Sequence, residues 1–325
     1  MPELPEVETI RAGAATHVLD RPIAAVEVLR ERSVRRQGGG AAEFTARLRG
    51  CTLTAAVRRG KFLWFPLRGP DGVAEDAALL VHLGMSGQLR VMEGGSHPHL
   101  RVRIRFADGG QFWFIDQRTF GYLWVADLVP TLDGGPGGVG ALEYGPAVSD
   151  AGPLAQHNSA LEHAALIPAP VAHIAPDLLD PRLAEPGGPQ RRELVRRMRR
   201  GRRGIKRALL DQALVSGIGN IYADEALWRS RVHYDRRTDV MPAAKAGAVL
   251  QSAREVMVDA LAAGGTSFDS LYVHVNGDSG YFSRSLDVYG REGEPCRRCG
   301  RPIVREVFMN RSAAFCRNCQ RPPRR

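Results

Sequence analysis

The chain has 325 residues, of which 44% are hydrophobic and 25% are charged, and its net charge is +10. This hydrophobic share is enough for packed cores and excludes a disordered protein, and no run approaches the roughly 18 apolar residues of a membrane span. The first 30 residues contain no apolar signal-peptide core, so we expect a soluble intracellular protein. The excess of basic residues favours a nucleic-acid partner over a membrane, with a generally basic surface as the alternative.

The N-terminal part of the chain is predicted to be an antiparallel β-sandwich or barrel that ends near residue 125. Runs of β-branched and aromatic residues there are interrupted by Gly and Pro. In the clearest case, Val102, Ile104 and Phe106 alternate with arginines before the turn sequence ADGG. The first ten residues, MPELPEVETI, leave little room for a helix cap or a strand, and no element is predicted for them.

Residues 131–190 are predicted to be a linker or an insertion that is partly disordered. The sequences TLDGGPGGVG and LAEPGGPQ, near its two ends, are rich in Gly and Pro. The residues between them show only weak periodicity. We therefore expect a boundary between two domains in this stretch.

The sequence pattern becomes helical from about residue 190. The run QRRELVRRMRRGRRGIKR contains ten basic residues and one acid, which favours phosphate contacts over a merely solvated face. Two helical segments follow, separated by GIGN; Asn220 stands at the predicted N-cap, so the N–H groups after it form a candidate anion site. An ordinary helix–turn–helix connection has the same pattern. A third helix with one apolar stripe is predicted between Pro242 and Gly264.

The five cysteines predict a metal site near the C-terminus. Four of them form two CxxC pairs that can bind one Zn²⁺ tetrahedrally: Cys296, Cys299, Cys316 and Cys319. Disulfides are the alternative, but they are not expected in a chain without a signal peptide. Four thiolates leave no open coordination position, so the zinc is predicted to be structural. The residues between the pairs predict a zinc ribbon of two short strands with Arg311 at the hairpin tip, and Cys51 is predicted to be a buried small side chain.

Several motifs, in order along nearly the whole chain, resemble those of bacterial formamidopyrimidine-DNA glycosylases: PELPEVET, RRGKFL, HLGMSG, QRTFG, GIGNIYADEAL, VYGREGEPC and the terminal CxxC pairs. The resemblance implies a multidomain α+β fold. An N-terminal antiparallel β-sandwich would occupy residues 1–130, the linker or insertion 131–190, a helix-two-turn-helix domain 191–290 and a zinc finger 291–325. It also implies a monomer in the bacterial cytoplasm, associated with the nucleoid.

The activity implied by the resemblance is base excision repair of double-stranded DNA. The enzyme would excise oxidised purines such as 8-oxoguanine and formamidopyrimidines, and then cleave the strand by β,δ-elimination. Removal of Met1 would expose the Pro2 amine, which titrates near pH 8 and would attack the sugar to form a Schiff base. Glu3 would supply a proton to the sugar ring oxygen.

Two further residues are assigned to the catalytic steps by the same resemblance. Lys61, one of only three lysines among 45 basic residues, would transfer a proton during elimination and contact a phosphate. Arg311 would contact the phosphates at the lesion and assist the second elimination. An acidic leader peptide at Pro2 and Glu3, and an ordinary surface lysine at Lys61, are the alternatives.

The remaining residues singled out by the resemblance are DNA contacts. Met85, Arg118 and Phe120 would fill the gap left by the flipped base; Arg118 would pair with the orphaned cytosine and Phe120 would wedge into the stack. Core packing is the alternative for the two apolar residues. The stretch GGTSFDSLYVHVNGDSGYF resembles the loop that closes over the flipped base. Contacts to the DNA backbone are implied for His97, Lys206, Asn220 and, within the Arg-rich run, Arg202.

The sequence departs from the family at two places, and three other functions are the alternatives. The 131–190 stretch is longer than the usual connection, and Thr119 stands where a second arginine is common. An endonuclease VIII-like glycosylase for oxidised pyrimidines is disfavoured by Leu4, EVET and the gap-filling residues. A non-catalytic zinc-ribbon DNA-binding protein would not need Pro2, Glu3 and Lys61 together. An RNA- or ribosome-associated basic protein would explain only the charge.

Overall fold

The computed structural model describes residues 2–141, 164–264 and 285–323. Two compact units are present. Of the described residues, Pro2 and 6–173 form the N-terminal unit, and Glu3–Pro5, 174–264 and 285–323 form the C-terminal unit. Within the described ranges, every helix is too short or too polar to cross a membrane.

Six α-helices lie in the described residues: α1 Leu4–His17, α2 Gly40–Leu48, α3 Pro189–Arg200, α4 Ile205–Leu209, α5 Asn220–Arg229 and α6 Ala243–Ala262. The strands of the N-terminal unit are β1 Ile23–Val28, β2 Thr52–Leu53, β3 Val57–Arg59, β4 Phe62–Arg68, β5 Ala74–His82, β6 Gly87–Met92, β7 Leu100–Phe106, β8 Gln111–Asp116, β9 Tyr122–Pro130 and β10 Leu166–Pro168. The C-terminal unit has the hairpin β11 Val304–Phe308 and β12 Arg311–Phe315.

The N-terminal unit contains two antiparallel sheets, as the sequence predicts. Their strand orders are β1-β7-β8-β6 and β10-β9-β5-β4-β2, with β3 paired to β4. The inward residues of β7, Val102, Ile104 and Phe106, are buried, so the predicted alternation is confirmed. Side chains from both sheets share one core, and the rings of Phe65 and Phe112 meet edge to face at 5.9 Å.

The first residues form a helix that the sequence analysis did not predict. Helix α1 begins at Leu4, and Pro5 lies in its first turn, where a missing N–H costs no helical hydrogen bond. Its core-facing residues recur at three- and four-residue intervals, as in an amphipathic helix: Val7, Ile10 and Ala14. The two prolines concealed this period because they suggested irregular backbone.

The predicted linker is partly structured. Strand β10 pairs with β9 through Leu166 and Pro130, and short 3-10 helices occupy Ala169–Val171 and Pro181–Leu183. Residues 142–163 lie outside the described residues, so the expectation of disorder stays a prediction for them.

The C-terminal unit is built on helices that pack around α5. Tyr222, Ala223, Ala226 and Leu227 of α5 are completely buried, and their cluster includes residues of α3, α4 and α6. The predicted apolar stripe of α6 is confirmed, and its buried members are Val249, Leu250, Ala253, Val256, Met257 and Ala260.

A buried ion pair attaches the zinc-ribbon hairpin to α5. Lys206 Nζ lies 2.6 Å from Asp224 Oδ1 and donates to the carbonyl oxygen of Ser312 at 2.7 Å. The second oxygen of Asp224 accepts from the N–H of Ala314 at 3.0 Å. Burial raises the pKa of Asp224 to about 7 and lowers that of Lys206, while the attraction between the two charges opposes both shifts. Strand β12 is therefore bound at two points of its backbone.

Glu225, the next residue of α5, attaches the segment that enters the ribbon. Its carboxylate accepts backbone N–H bonds from Asp287, Val288 and Tyr289 at 2.8–2.9 Å. One turn further along, the Trp228 indole donates to Cys296 Sγ at 3.3 Å. Asp224, Glu225 and Trp228 of one helix thus connect the ribbon to the helical core.

We predict that Lys206→Met lowers the free energy of unfolding by about 3–5 kcal/mol, because Asp224 is left buried without its cation. A carboxyl group whose pKa is raised in the folded state stabilises the protein below its unfolded-state pKa. This stabilisation is lost as the pH rises through the folded-state pKa. The decrease in unfolding free energy caused by Lys206→Met should therefore be smallest near pH 4 and should grow through pH 7 and above. Urea unfolding of the metal-loaded protein across this range measures it.

The matched control is the double variant Lys206→Met/Asp224→Asn. The asparagine still accepts from Ala314 but carries no charge, so much of the stability should return. The part of the pH dependence that comes from Asp224 should vanish. A double variant as unstable as Lys206→Met would contradict the ion-pair explanation.

Candidate functional site

The Glu3 carboxylate caps the N-terminus of α5. It accepts backbone N–H bonds from Gly219 at 2.7 Å, Ile221 at 2.9 Å and Tyr222 at 3.3 Å, and Glu3 is only 3% exposed. The positive end of the helix dipole and these donors favour its negative charge. The helix N-terminus predicted as an anion site is therefore filled by a carboxylate of the same chain. Asn220 is the first helical residue, and the N-cap is Gly219, which corrects the predicted cap.

The glycines of the GIGN turn make room for this contact. A Cβ on Gly219 would lie 2.2 Å from the Glu3 carboxyl carbon, and one on Gly217 would lie 2.5 Å from Leu4 Cδ1. Gly217 also has a φ of +88°, and its carbonyl oxygen accepts from the N–H of Leu4 at 3.1 Å. Any side chain at these positions would displace the N-terminal segment from α5.

Asn220, Arg311 and Lys206 differ widely in exposure. Asn220 is half-buried, and its side chain hydrogen-bonds to Tyr289, whose pKa is raised chiefly by burial. Arg311 is exposed as the first residue of β12, beside the two-residue tip of the hairpin. Lys206 is 0% exposed, so the predicted direct DNA contact does not fit its position. It instead supports the strand that carries Arg311.

Lys61 lies in the turn between β3 and β4, and the side chain of a buried arginine binds the backbone of this turn. Arg58 is 0% exposed; its Nε lies 2.7 Å from Glu8 Oε2, and its Nη1 donates to the carbonyl oxygen of Gly60 at 3.1 Å. Lys61 itself is half-buried. Glu8 and Arg58 were not predicted as site residues, although both lie inside the quoted motifs.

Met85 and Phe120 have the exposure of contact residues rather than of core residues. Their exposed fractions are 36% and 50%, and Arg118 is also exposed. Met85 follows β5, whereas the other two precede β9. The predicted trio thus lies on two neighbouring loops of the N-terminal unit.

A buried carboxylate joins these two loops. Asp116, 0% exposed, accepts from Ser86 Oγ at 2.5 Å and from the N–H of Gly121 at 2.8 Å. Ser86 Oγ in turn accepts from the N–H of Arg118 at 2.9 Å. Neither residue was predicted, although Ser86 lies inside the motif HLGMSG and Asp116 directly precedes QRTFG.

Arg35 and His82 also bind the backbone of these loops, Arg35 that of the loop before β9 and His82 that of the loop after β5. Arg35 donates to the carbonyl oxygens of Phe120 and Gly121, both at 2.8 Å. His82 lies between two aromatic rings, and its Nδ1 accepts from the N–H of Gly84 at 3.3 Å. Burial, with the charges of Arg35 and Lys61, lowers the pKa of His82 to about 4, so the imidazole is neutral at physiological pH.

Thr119, the departure from the family motif, has a φ of +54°. A β-branched residue in the left-handed region is strained by about 1–2 kcal/mol. The hydrogen bonds of Asp116 and Arg35 to the neighbouring backbone keep it in this conformation, and the residues on either side of it, Arg118 and Phe120, are exposed.

The two remaining predicted contacts present donors of different kinds. His97 Nδ1 accepts from the N–H of His99 at 3.1 Å, which leaves the proton on Nε2. Burial, then the nearby His99 and arginines, lowers the pKa of His97, so it is a neutral donor. The Arg202 side chain is 85% exposed and only 3.9 Å from the nearest oxygen of Asp239. The predicted lesion-covering loop lies outside the described residues, apart from Gly264.

The four predicted cysteine ligands form one cluster. Their sulfur atoms all lie within 4.8 Å of one another, and two of the pairs are 3.5 and 4.0 Å apart. Tetrahedral Zn²⁺ with Zn–S bonds of about 2.3 Å requires sulfurs about 3.8 Å apart, so the residues fit this ion. All five cysteines are free thiols, and Cys51 is buried as predicted.

Three known domain families match successive parts of the chain. Residues 1–123 match the formamidopyrimidine-DNA glycosylase N-terminal domain, and residues 184–271 match the formamidopyrimidine-DNA glycosylase H2TH domain. Residues 293–322 match the zinc finger found in FPG and IleRS. The last match agrees with the four-cysteine cluster.

Similar proteins and structures extend over the whole chain. The formamidopyrimidine-DNA glycosylase of Kineococcus radiotolerans is 51% identical over 327 residues, covering 100% of this chain and 99% of the relative. That of Mycobacteroides abscessus is 51% identical over 321 residues, covering 99% and 98%. Lactococcus lactis Fpg in complex with abasic-site DNA has a TM-score of 0.73 and 27% identity, covering 98% of this chain and 100% of that one.

A second solved structure, MutM in complex with DNA containing carbocyclic 8-oxo-G, has a TM-score of 0.73 and 26% identity, and the match covers 99% of this chain and 100% of that one. The curated relatives are about half identical to this chain over its full length. All three domains of the family also match in order, and together these findings identify the family. The chain belongs to the formamidopyrimidine-DNA glycosylase family.

Proposed function

We propose that this DNA glycosylase excises oxidised purines, 8-oxoguanine and formamidopyrimidines, from double-stranded DNA and then cleaves the strand by β,δ-elimination. The observation that carries the proposal is the Glu3 carboxylate, which three backbone N–H groups hold at the N-terminus of α5 and which is next to Pro2 in the chain. A carboxylate fixed beside a secondary amine is suited to move protons between that amine and a sugar. Related proteins solved with abasic-site and 8-oxo-G DNA support this substrate class.

The proposed first step uses Pro2 as the nucleophile. With Met1 removed, its amine attacks C1′ of the damaged nucleotide, and the bond from C1′ to the base breaks. The base leaves with the electron pair and takes a proton from water. The Pro2 nitrogen gives its proton to Glu3, which passes it to the ring oxygen as the ring opens and the Schiff base forms. This order fits a Glu3 that begins as a carboxylate.

Strand cleavage follows from the Schiff base, which acidifies the proton at C2′. Loss of that proton expels the 3′ phosphate, and a second elimination expels the 5′ phosphate. Lys61, in its turn above Arg58, is proposed to transfer protons and to contact a phosphate. Arg311, exposed at the start of β12, is proposed to contact the phosphates and to assist the second elimination. Water then releases Pro2.

Met85, Arg118 and Phe120 are proposed to fill the gap left by the flipped base. Their exposure and the buried Asp116 network beneath them support this role, because a wedge must be presented to DNA before binding. His97 and Arg202 are proposed to contact phosphates, the first as a neutral donor and the second as a charge. Asn220 is proposed to do so through its half-buried amide.

The ribbon is proposed to hold one structural Zn²⁺ through its four cysteines. When bound, the ion supplies folding energy to the ribbon and no chemistry to the reaction. We also propose a monomer in the bacterial cytoplasm, at the nucleoid, since a net charge of +10 favours DNA. Domain limits at residues 130, 190 and 290 remain part of this proposal.

The Schiff base predicts a covalent adduct on Pro2. Mature protein incubated with an 8-oxoguanine:cytosine duplex and borohydride should give a trapped complex, and peptide mass analysis should place the DNA on Pro2. Lys61→Arg keeps the charge but removes the only other candidate amine in the proposed site, so trapping should persist. A tag placed directly on Pro2 should abolish it. An adduct on a lysine, or trapping only with oxidised pyrimidines, would contradict the proposal.

Glu3→Gln should release base about 100-fold more slowly, because the proton carrier is lost, while lesion DNA still binds within a few-fold. The amide nitrogen must face at least one N–H of α5, so a moderate loss of thermal stability should accompany it. Single-turnover excision and equilibrium binding, measured together, separate these effects. If binding and excision fell equally, Glu3 would be only a helix cap.

Arg118→Ala should lower excision of 8-oxoguanine opposite cytosine and reduce the preference over the adenine-paired lesion. A good polar contact to a base edge contributes about 1–3 kcal/mol of discrimination, whereas binding to undamaged duplex rests on phosphates and salt. Excision rates for the two pairs and binding to undamaged DNA test this.

Arg202→Ala is the matched control for Arg118→Ala. It should weaken binding to every duplex alike and reduce the salt dependence. An Arg118→Ala protein with the same uniform loss and an unchanged opposite-base preference would make Arg118 a phosphate ligand.

A further inference from the structure

A groove of about 820 Å³ is lined by residues of α3 and of the first half of α6. It belongs entirely to the C-terminal unit. Its four arginines come from the basic run whose composition favours phosphate contacts, but none of its residues is placed above in catalysis or lesion recognition. Its apolar lining, here called the floor, includes Val195, Ala244 and Ala248, and Gly247 lines it as well. A Cβ on Gly247 would meet no atom within 4 Å, so the groove is open directly above the helix backbone.

Four arginines and no acidic residue line this groove: Arg192, Arg196, Arg199 and Arg200. Among the described residues, Glu193 is a carboxylate partner of Arg196 and the other three arginines have none. Within the described part of the chain, Arg192 and Arg199 bind only the carbonyl oxygens of Gly187 and Met241, and Arg200 has no hydrogen-bond or ion-pair partner. Three of the four positive charges are therefore not neutralised by any of the described residues.

A further positive charge lies beneath the same groove. Arg191 is 1% exposed, and its guanidinium donates to Gln251 Oε1 at 3.1 Å; Gln251 lines the groove. Its Nε and Nη1 have no hydrogen-bond partner among the described residues. Burial and the neighbouring Arg254 lower the pKa of Arg191. Its charge thus adds to the positive potential at the groove.

We infer that this groove is a docking site for an acidic peptide segment of a partner protein, with one apolar side chain over Gly247 and carboxylates on the surrounding arginines. Planar guanidinium groups bind carboxylates with two parallel hydrogen bonds, and an apolar floor stabilises an apolar side chain by removing its surface from water. A nucleic-acid backbone would satisfy the arginines but leave the floor without an apolar partner. The inference stands independently of the proposed reaction.

The test uses a fluorescein-labelled peptide in which aspartates flank a central phenylalanine, and full-length metal-loaded protein. Fluorescence anisotropy should show saturable binding that weakens as salt rises. Replacing the phenylalanine of the probe by alanine, or the aspartates by lysines, should abolish most of it. Gly247→Glu should weaken binding about tenfold, because its side chain fills the groove and repels the carboxylates.

Gly247→Ala is the matched variant. It keeps the groove and adds a better helix former, so peptide binding should change less than about twofold. Both variants should excise base and bind undamaged duplex as the unsubstituted protein does. The inference is overturned if the unsubstituted protein does not bind the peptide or if Gly247→Glu binds it equally well. It is also overturned if Gly247→Glu weakens duplex binding as strongly as peptide binding, which would make the groove a nucleic-acid surface.

Discussion

Buried carboxylates that accept backbone N–H bonds around α5 are the interaction on which the C-terminal unit depends. Glu3 accepts from the first turn of the helix, Asp224 accepts from Ala314, and Glu225 accepts from the segment that enters the ribbon. Directed donors replace the water that each buried charge has lost. As a result, the residue beside the proposed nucleophile and the strand that begins with Arg311 are positioned by one helix.

In the N-terminal unit, buried polar groups likewise bind backbone groups, here in the loops that carry partly exposed side chains. Met85 and Phe120 are only partly buried, so their own packing contributes less to fixing them than that of a core residue. Asp116 and Ser86 instead fix the backbone of both loops from below, and Arg35 binds two carbonyl oxygens of one of them. The buried polar network fixes the loops that carry these partly exposed apolar side chains, as the proposed gap filling in DNA requires.

The three lysines show how different environments use one side chain. Lys206 is completely buried, where a compact ammonium fits between a carboxylate and a carbonyl oxygen. Lys245 is exposed and donates to the carbonyl oxygen of Ser230 at 2.7 Å. Lys61 is half-buried in a turn of the proposed site. Scarcity of lysine in an arginine-rich chain therefore singles out positions with specific geometry, but it does not distinguish structural from reactive positions.

The sequence alone determined the features that depend on local spacing: the alternating strands, the apolar stripe of α6, the cysteine pairs and the ordered family motifs. Periodicity and ligand spacing are properties of neighbouring residues and are readable from the chain. Only the tertiary structure decided that Glu3, rather than an external anion, fills the helix N-terminus at Asn220, and that Lys206 is buried. These outcomes depend on which distant segments pack together, and a buried charge takes whichever partner that packing brings within hydrogen-bonding distance.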